Sequence, residues 1–151
     1  MNLYKATGHQ VGQGQGLNSI GWCHALLGEY EQALTYCQQA LTLFQQLGHR
    51  IGQANALDSI GHAHHRLGQH TRAITYYQQA LTLTRDLGDR YFEAQVLDHL
   101  GDSRRAIGDT QAAYDAWRQA LTILADIDRP DAAQIHAKVA DLYPPTNQAT
   151  P

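Results

Sequence analysis

The sequence predicts an all-α fold: three stacked helix-turn-helix units followed by a C-terminal capping helix. Three observations predict it. First, Tyr36-Cys37-Gln38-Gln39-Ala40-Leu41-Thr42-Leu43 recurs as Tyr76-Tyr77-Gln78-Gln79-Ala80-Leu81-Thr82-Leu83, and more loosely as Ala116-Trp117-Arg118-Gln119-Ala120-Leu121-Thr122-Ile123. The offset is 40 each time, and a fixed period of that size marks a repeat architecture. Second, glycines fall into register: Gly21, Gly61 and Gly101 align, as do Gly28, Gly68 and Gly108. Third, apolar residues follow helical spacing throughout, and no segment alternates as a strand would.

The elements follow in order. Residues 1–10 read as the tail of a preceding repeat or an N-terminal extension, because Gly8 to Gln13 align with Gly48 to Gln53. Helices are expected near 11–27 and 30–47, making unit one (residues 11–48). The run Gly12-Gln13-Gly14-Gln15-Gly16 is glycine-rich but lacks a preceding strand and a following Lys-Ser/Thr, so it is no phosphate loop. It predicts a weak, frayed first turn.

In unit two (49–88), Ala56, Leu57, Ile60, Gly61, His64 and Leu67 form one helical stripe over about 50–67. Gly68 ends it. Ala73, Ile74, Tyr77, Ala80, Leu81 and Thr84 form a second over about 70–87, ending at Leu87-Gly88. Unit three (89–128) repeats the division near 90–107 and 110–127. Pro130 is expected to open a helix at its first position. The segment 129–143 carries Ala132, Ile135, Val139 and Leu142, and reads as a capping helix. Residues 144–151 read as a flexible tail.

The aligned glycines divide by role. Gly28, Gly68 and Gly108 suit left-handed turn positions. Gly21, Gly61 and Gly101 fall inside helices, where glycine costs about 1 kcal/mol relative to alanine. They predict close helix approach.

This pattern resembles the tetratricopeptide repeat (TPR) family. Unit one carries Leu17, Ile20-Gly21, His24, Ala33, Cys37 and Ala40. Unit two carries Leu57, Ile60-Gly61, His64, Ala73, Tyr77 and Ala80. Unit three carries Leu97, Leu100-Gly101, Arg104, Ala113, Trp117 and Ala120. The period of 40 exceeds the common 34, and Gln45, Arg85 and Ala125 stand where a closing proline often sits. The longer period is similar to the TPRs of kinesin light chains, polarity adaptors and bacterial signalling regulators. "Leu-Gly-Asp-Arg" and "His-Arg-Leu-Gly" phrases are similar to TPR regions of large bacterial ATPase-linked transcription regulators. The resemblance implies a right-handed superhelix whose concave wall is built by the first helix of each unit.

It also implies a groove. The family's inner-wall positions fall on Asn18, Trp22 and Ala25, on Asp58, His62 and His65, and on Asp98, Asp102 and Arg105. Arg66 and Gln95 are expected to flank them. The family's carboxylate-holding Lys and Asn pattern is absent. Asp58, Asp98 and Asp102 favour a ligand offering cations or hydrogen-bond donors. The expected partner is a protein or peptide. A regulatory module within a larger bacterial regulator, or self-association through the N-terminal edge, are the alternatives.

Histidines and cysteines were weighed as chemistry. His62 and His65, three apart, could face one metal or sense pH, but a histidine-rich groove is the simpler reading, and no metal or other cofactor is expected. His64, aligned with His24 and Arg104, should pack between helices. His9 and His49, aligned with Asp89, should mark exposed turns. Cys23 aligns with Ala63 and Ser103, and Cys37 with Tyr77 and Trp117; both should be buried structural thiols. Ser19, Ser59 and Ser103 lie in helices without a nucleophile turn, so no enzyme activity is expected.

Composition limits the partners. Lys plus Arg is 11 against 14 Asp plus Glu, a net charge of −3. A nucleic-acid binder carries a basic excess, so none is expected to bind directly. No apolar run nears the ~20 residues of a membrane span, no signal-peptide stretch opens the chain, and two cysteines make no disulfide framework. A cytoplasmic location is the expectation. Only Lys5, Glu29 and Glu31 of the 25 Asp, Glu, Lys and Arg residues lie in residues 1–48. That poverty of charge points to an N-terminal edge suited to packing against something.

Overall fold

The computed structural model describes residues 3–143, with side chains from residue 7 onward. It contains α1 (Leu3–Leu26), α2 (Tyr30–Leu47), α3 (Arg50–Arg66), α4 (His70–Leu87), α5 (Arg90–Ala106), α6 (Thr110–Asp126) and α7 (Ala133–Leu142). No strand occurs among the described residues.

Each helix pair is an antiparallel hairpin. Its turn is built on a left-handed glycine: Gly28 at φ 80°, Gly68 at φ 77° and Gly108 at φ 83°. The amide three residues past the end of each first helix bonds back into it, as in Glu29 N–H to His24 O at 2.8 Å. A side chain repeats that link. His24 Nδ1 meets Glu29 at 2.8 Å, His64 Nδ1 meets Gln69 at 2.6 Å, and Arg104 meets Asp109 at 3.9 Å. His64 is buried and stacked on Tyr76, as its alignment suggested. The same glycine chemistry joins one unit to the next at Gly48 and Gly88. At the third such position stands Asp128, a non-glycine at φ 55°.

The mid-helix glycines allow the close packing inside each hairpin. A Cβ on Gly61 would come within 2.7 Å of the Tyr77 ring. Gly21 faces Cys37 and Gly101 faces Trp117 just as tightly. One further pair escaped the sequence reading. Phe44 is held between Gly14 of α1 and Gly52 of α3, neither of which has room for a side chain. Phe44, Tyr77 and Trp117 are all fully buried, at the first joint between units and within the second and third hairpins.

Five expectations need correction. Helix α1 starts at Leu3, and residues 12–16 lie within it. They are not a frayed first turn, because Gly14 packs on Phe44. Pro130 does not open α7; residues 130–132 form a turn and the helix begins at Ala133. His9 lies in α1 rather than at a turn, whereas His49 does cap α3 by accepting from Gly52 N at 3.0 Å. Ala25 packs with Ala33 and Ala63, away from the groove. Cys37 is buried, and burial pushes its thiol up to about 11; Cys23 is exposed.

The Cys23 result has a physical reason. Its counterparts Ala63 and Ser103 are covered by the preceding helix pair. Among the described residues no helix pair precedes unit one. Ile20 is therefore 45% exposed, against 1% for Ile60 and 5% for Leu100 at the same position. The tail 144–151 lies outside the described residues.

Candidate binding groove

Helices α1, α3 and α5 pack on one another across units, whereas α2, α4 and α6 meet neighbouring units through these inner helices. The first helix of each pair therefore forms the inner wall. Residues four and three apart on one helix share a face, so each expected trio lies along one side of its helix, except that Ala25 is buried against Ala33 and Ala63.

The structure links the wall residues into a cross-helix ladder. Trp22 of α1 lies against His62 of α3, with ring centroids 4.9 Å apart. Asp58 of α3 accepts from His99 Nδ1 of α5 at 2.9 Å. Lys138 of α7 reaches back to Asp98 at 2.8 Å and to Asp102 at 2.9 Å on α5. His99 and Lys138 were not among the expected site residues. The period held a signal for Lys138, which lies 40 residues after Asp98 and extends the wall by one position; His99 aligns with Ser19 and Ser59 and carried none.

This changes the expected electrostatics. Asp98 and Asp102 do not stand as acids awaiting a cationic ligand. They hold the chain's own ammonium instead, and Arg105 stands 3.9 Å from Asp102. Burial opposes the charge on Lys138, but the two carboxylates hold its proton more firmly than usual. Arg105 also lies over the Trp117 ring at 5.1 Å. Arg66 turns to Tyr30 of α2, bonding its hydroxyl at 2.9 Å. Gln95 lines a small cavity of about 150 Å³ beside Asp98 and His99.

The open part of the wall lies at its N-terminal half. Asn18, Ser19, Trp22, Cys23, Asn55 and Asp58 line a cleft of about 370 Å³, together with Ser59 and Phe92. The side-chain oxygen of Asn18 is buried there without a hydrogen-bond donor. A buried acceptor left unpaired costs about 1–3 kcal/mol, so it favours any ligand that brings an N–H or O–H. A larger cleft of about 450 Å³ lies between α4, α5 and α6, but its Arg85 is already engaged by Glu93 and Gln119.

The histidines titrate in opposite senses. Burial works against charge on His99, yet Asp58, aided by Asp98 and Asp102, lifts it to about 9. Burial, then repulsion from His99, lowers His62; burial, then His70, lowers His65. The stability that the His99 pair contributes is complete below the ordinary 6.5 and is lost as pH rises through about 9. The His62 and His65 contributions run the other way and are lost as pH falls below 6.5. Thermal melts across pH should therefore peak near neutrality. His99→Gln should flatten the alkaline limb alone; an unchanged limb would count against the Asp58–His99 pair.

A family model described as tetratricopeptide repeat matches residues 13–86 and again 53–126. The chain belongs to the tetratricopeptide repeat family. Solved TPR structures share its fold. A Rap protein complexed with Competence and Sporulation Factor superposes with a TM-score of 0.81 at 18% identity, over 88% of this chain and 37% of that one. The TPR domain of Arabidopsis FLU superposes with a TM-score of 0.72 at 19% identity, over 80% and 98%. The TPR2AB domain of yeast Sti1, in complex with pHSP90, gives 0.71 at 15% identity, over 85% and 45%. The chain thus spans little more than a third of the Rap protein. No curated protein matches it. No helix among the described residues is long and apolar enough to cross a membrane, and no group of three or more His, Cys, Asp or Glu side chains converges to hold a metal.

Proposed function

We propose that this TPR array is a non-catalytic interaction module that holds a peptide or protein segment on its concave wall. The cleft around Trp22 carries the reading. It combines an exposed aromatic anchor, the unpaired Asn18 oxygen and the partly buried Asp58 carboxylate within one open site. Such a site suits a segment with an apolar side chain next to a hydrogen-bond donor or cation. Because Lys138 and Arg105 together offset the charges of Asp98 and Asp102, selectivity rests on the N-terminal half of the wall. His62, His65 and Arg105 frame the remainder. The family fold is generally non-catalytic, in keeping with this reading.

Partner capture by the intact chain, compared with an Asn18→Ala/Trp22→Ala/Asp58→Asn variant, tests it. Far-UV dichroism establishes that both are folded. Loss of the same partners from the variant is the expected result; equal retention would sink the groove reading.

A second reading places the module inside a larger regulator. The superposition on 37% of a Rap protein complexed with Competence and Sporulation Factor favours it. Self-association through α1 is a third, motivated by exposed Ile20, Leu26 and Leu27. A concentration-independent monomer in sedimentation would remove that one.

A further inference from the structure

Spacing along one helix brings His62 and His65 forward as a metal pair, but the fold gives His65 a different partner. Helix α3 ends at Arg66 and α4 begins at His70, and the Gly68 turn folds the two ends together. His65 Nδ1 lies 3.1 Å from His70 Nδ1, with the rings edge-on and centroids 4.7 Å apart. The Ser103 hydroxyl of α5 stands 2.9 Å from the same His65 nitrogen. Two imidazole nitrogens so spaced, each about 2.05 Å from a shared ion, subtend roughly 98° at it. That angle falls between the square-planar and tetrahedral values.

We propose that His65 and His70 form a two-imidazole site for a borderline divalent transition metal ion, with the Ser103 hydroxyl beside it. Imidazole suits zinc, copper and nickel, and the ordinary affinity order favours copper. The ligands must bind as neutral imidazoles. Burial and the neighbouring His70 favour neutral His65, while Asp102 acts in the opposite sense. Asp102 supplies negative potential from α5, part of it offset by Lys138 and Arg105, and Arg66, which donates to Tyr30 of α2, supplies positive potential. His62, one turn earlier on α3, lies against Trp22. No third strong ligand converges among the described residues, so the remaining positions go to water or to an incoming group. The site is therefore an exchangeable one, unlike a closed structural centre. An ion held there would tie the α3–α4 turn together next to α5.

The test uses the metal-free chain carrying Cys23→Ser, which removes the exposed thiol as a competing ligand. Calorimetric titrations with zinc, nickel and copper chlorides at neutral pH read the binding. One saturable equivalent is expected for at least one of these ions, with a raised thermal midpoint. His65→Gln and His70→Gln should each weaken it by roughly tenfold or more, whereas His136→Gln on α7 should not. Absence of saturable binding up to millimolar ion overturns the proposal. So does binding indifferent to both substitutions, which would leave the close pair as a hydrogen bond between two histidines. Dichroism on each variant confirms that the fold is retained.

Discussion

Replacing Trp117 with alanine is expected to unfold the C-terminal third of the molecule while leaving the rest helical. The indole is fully buried against Gly101, and its Nε1 donates to the Asp98 carbonyl at 3.1 Å. A buried Trp→Ala change costs about 3–5 kcal/mol. Loss of the indole hydrogen bond adds about 1 kcal/mol, while the Asp98 carbonyl keeps its helical bond within α5. Domains of this size are stable by only about 5–15 kcal/mol in total. In a quasi-one-dimensional array each unit contacts only its neighbours, so the loss falls on α5, α6 and α7. Hydrogen exchange should show those helices unprotected while α2 and α3 remain protected. A single, barely shifted denaturant transition would contradict this. Tyr77→Ala at the centre of the array is expected to break it on both sides.

Replacing Lys138 with methionine is expected to destabilise the chain at neutral pH by about 1–3 kcal/mol, below the ~3–5 of a fully buried pair because all three groups keep some solvent contact. Methionine keeps the length and the apolar stem of lysine. What it removes is the cation between Asp98 and Asp102, leaving two carboxylates with Arg105 as a distant partner for one of them. Their charge repulsion then raises their proton affinity, so the variant should recover stability as pH falls toward the carboxylate range. Adding Asp98→Asn and Asp102→Asn should restore stability at neutral pH. Denaturant melts at two pH values read all three outcomes. A Lys138→Met chain as stable as the parent at both would show that α7 is held by Ile135 and its apolar neighbours alone.

The 40-residue period carried most of the fold. It located five of the seven helices, α2 to α6, to within a residue, because most of their stop signals are local: a left-handed glycine needs no tertiary context to end a helix. It also marked Gly21, Gly61 and Gly101 as one close approach made three times, but not that Cys37, Tyr77 and Trp117 fill the space. The α1 start escaped it. Residues 3–10 have no aligned helical counterpart, and the glycine-rich run that follows reads as a helix breaker until Phe44 is seen to need the space.

The groove divides in the same way. That Asn18, Asp58 and Asp98 share a wall follows from helical spacing and the repeat. That Asp98 and Asp102 are neutralised, that Asp58 is spent on His99, and that His65 meets His70 do not follow from it. Each is a contact between different helices, set by rotamers and by how the helices pack. Periodicity specifies which face a residue occupies and is silent about what reaches it from the next helix. By itself, then, the sequence determined the array and its turns. The tertiary structure alone decided which wall residues remain open to a ligand, because charge pairing across helices depends on distances that no spacing along the chain encodes.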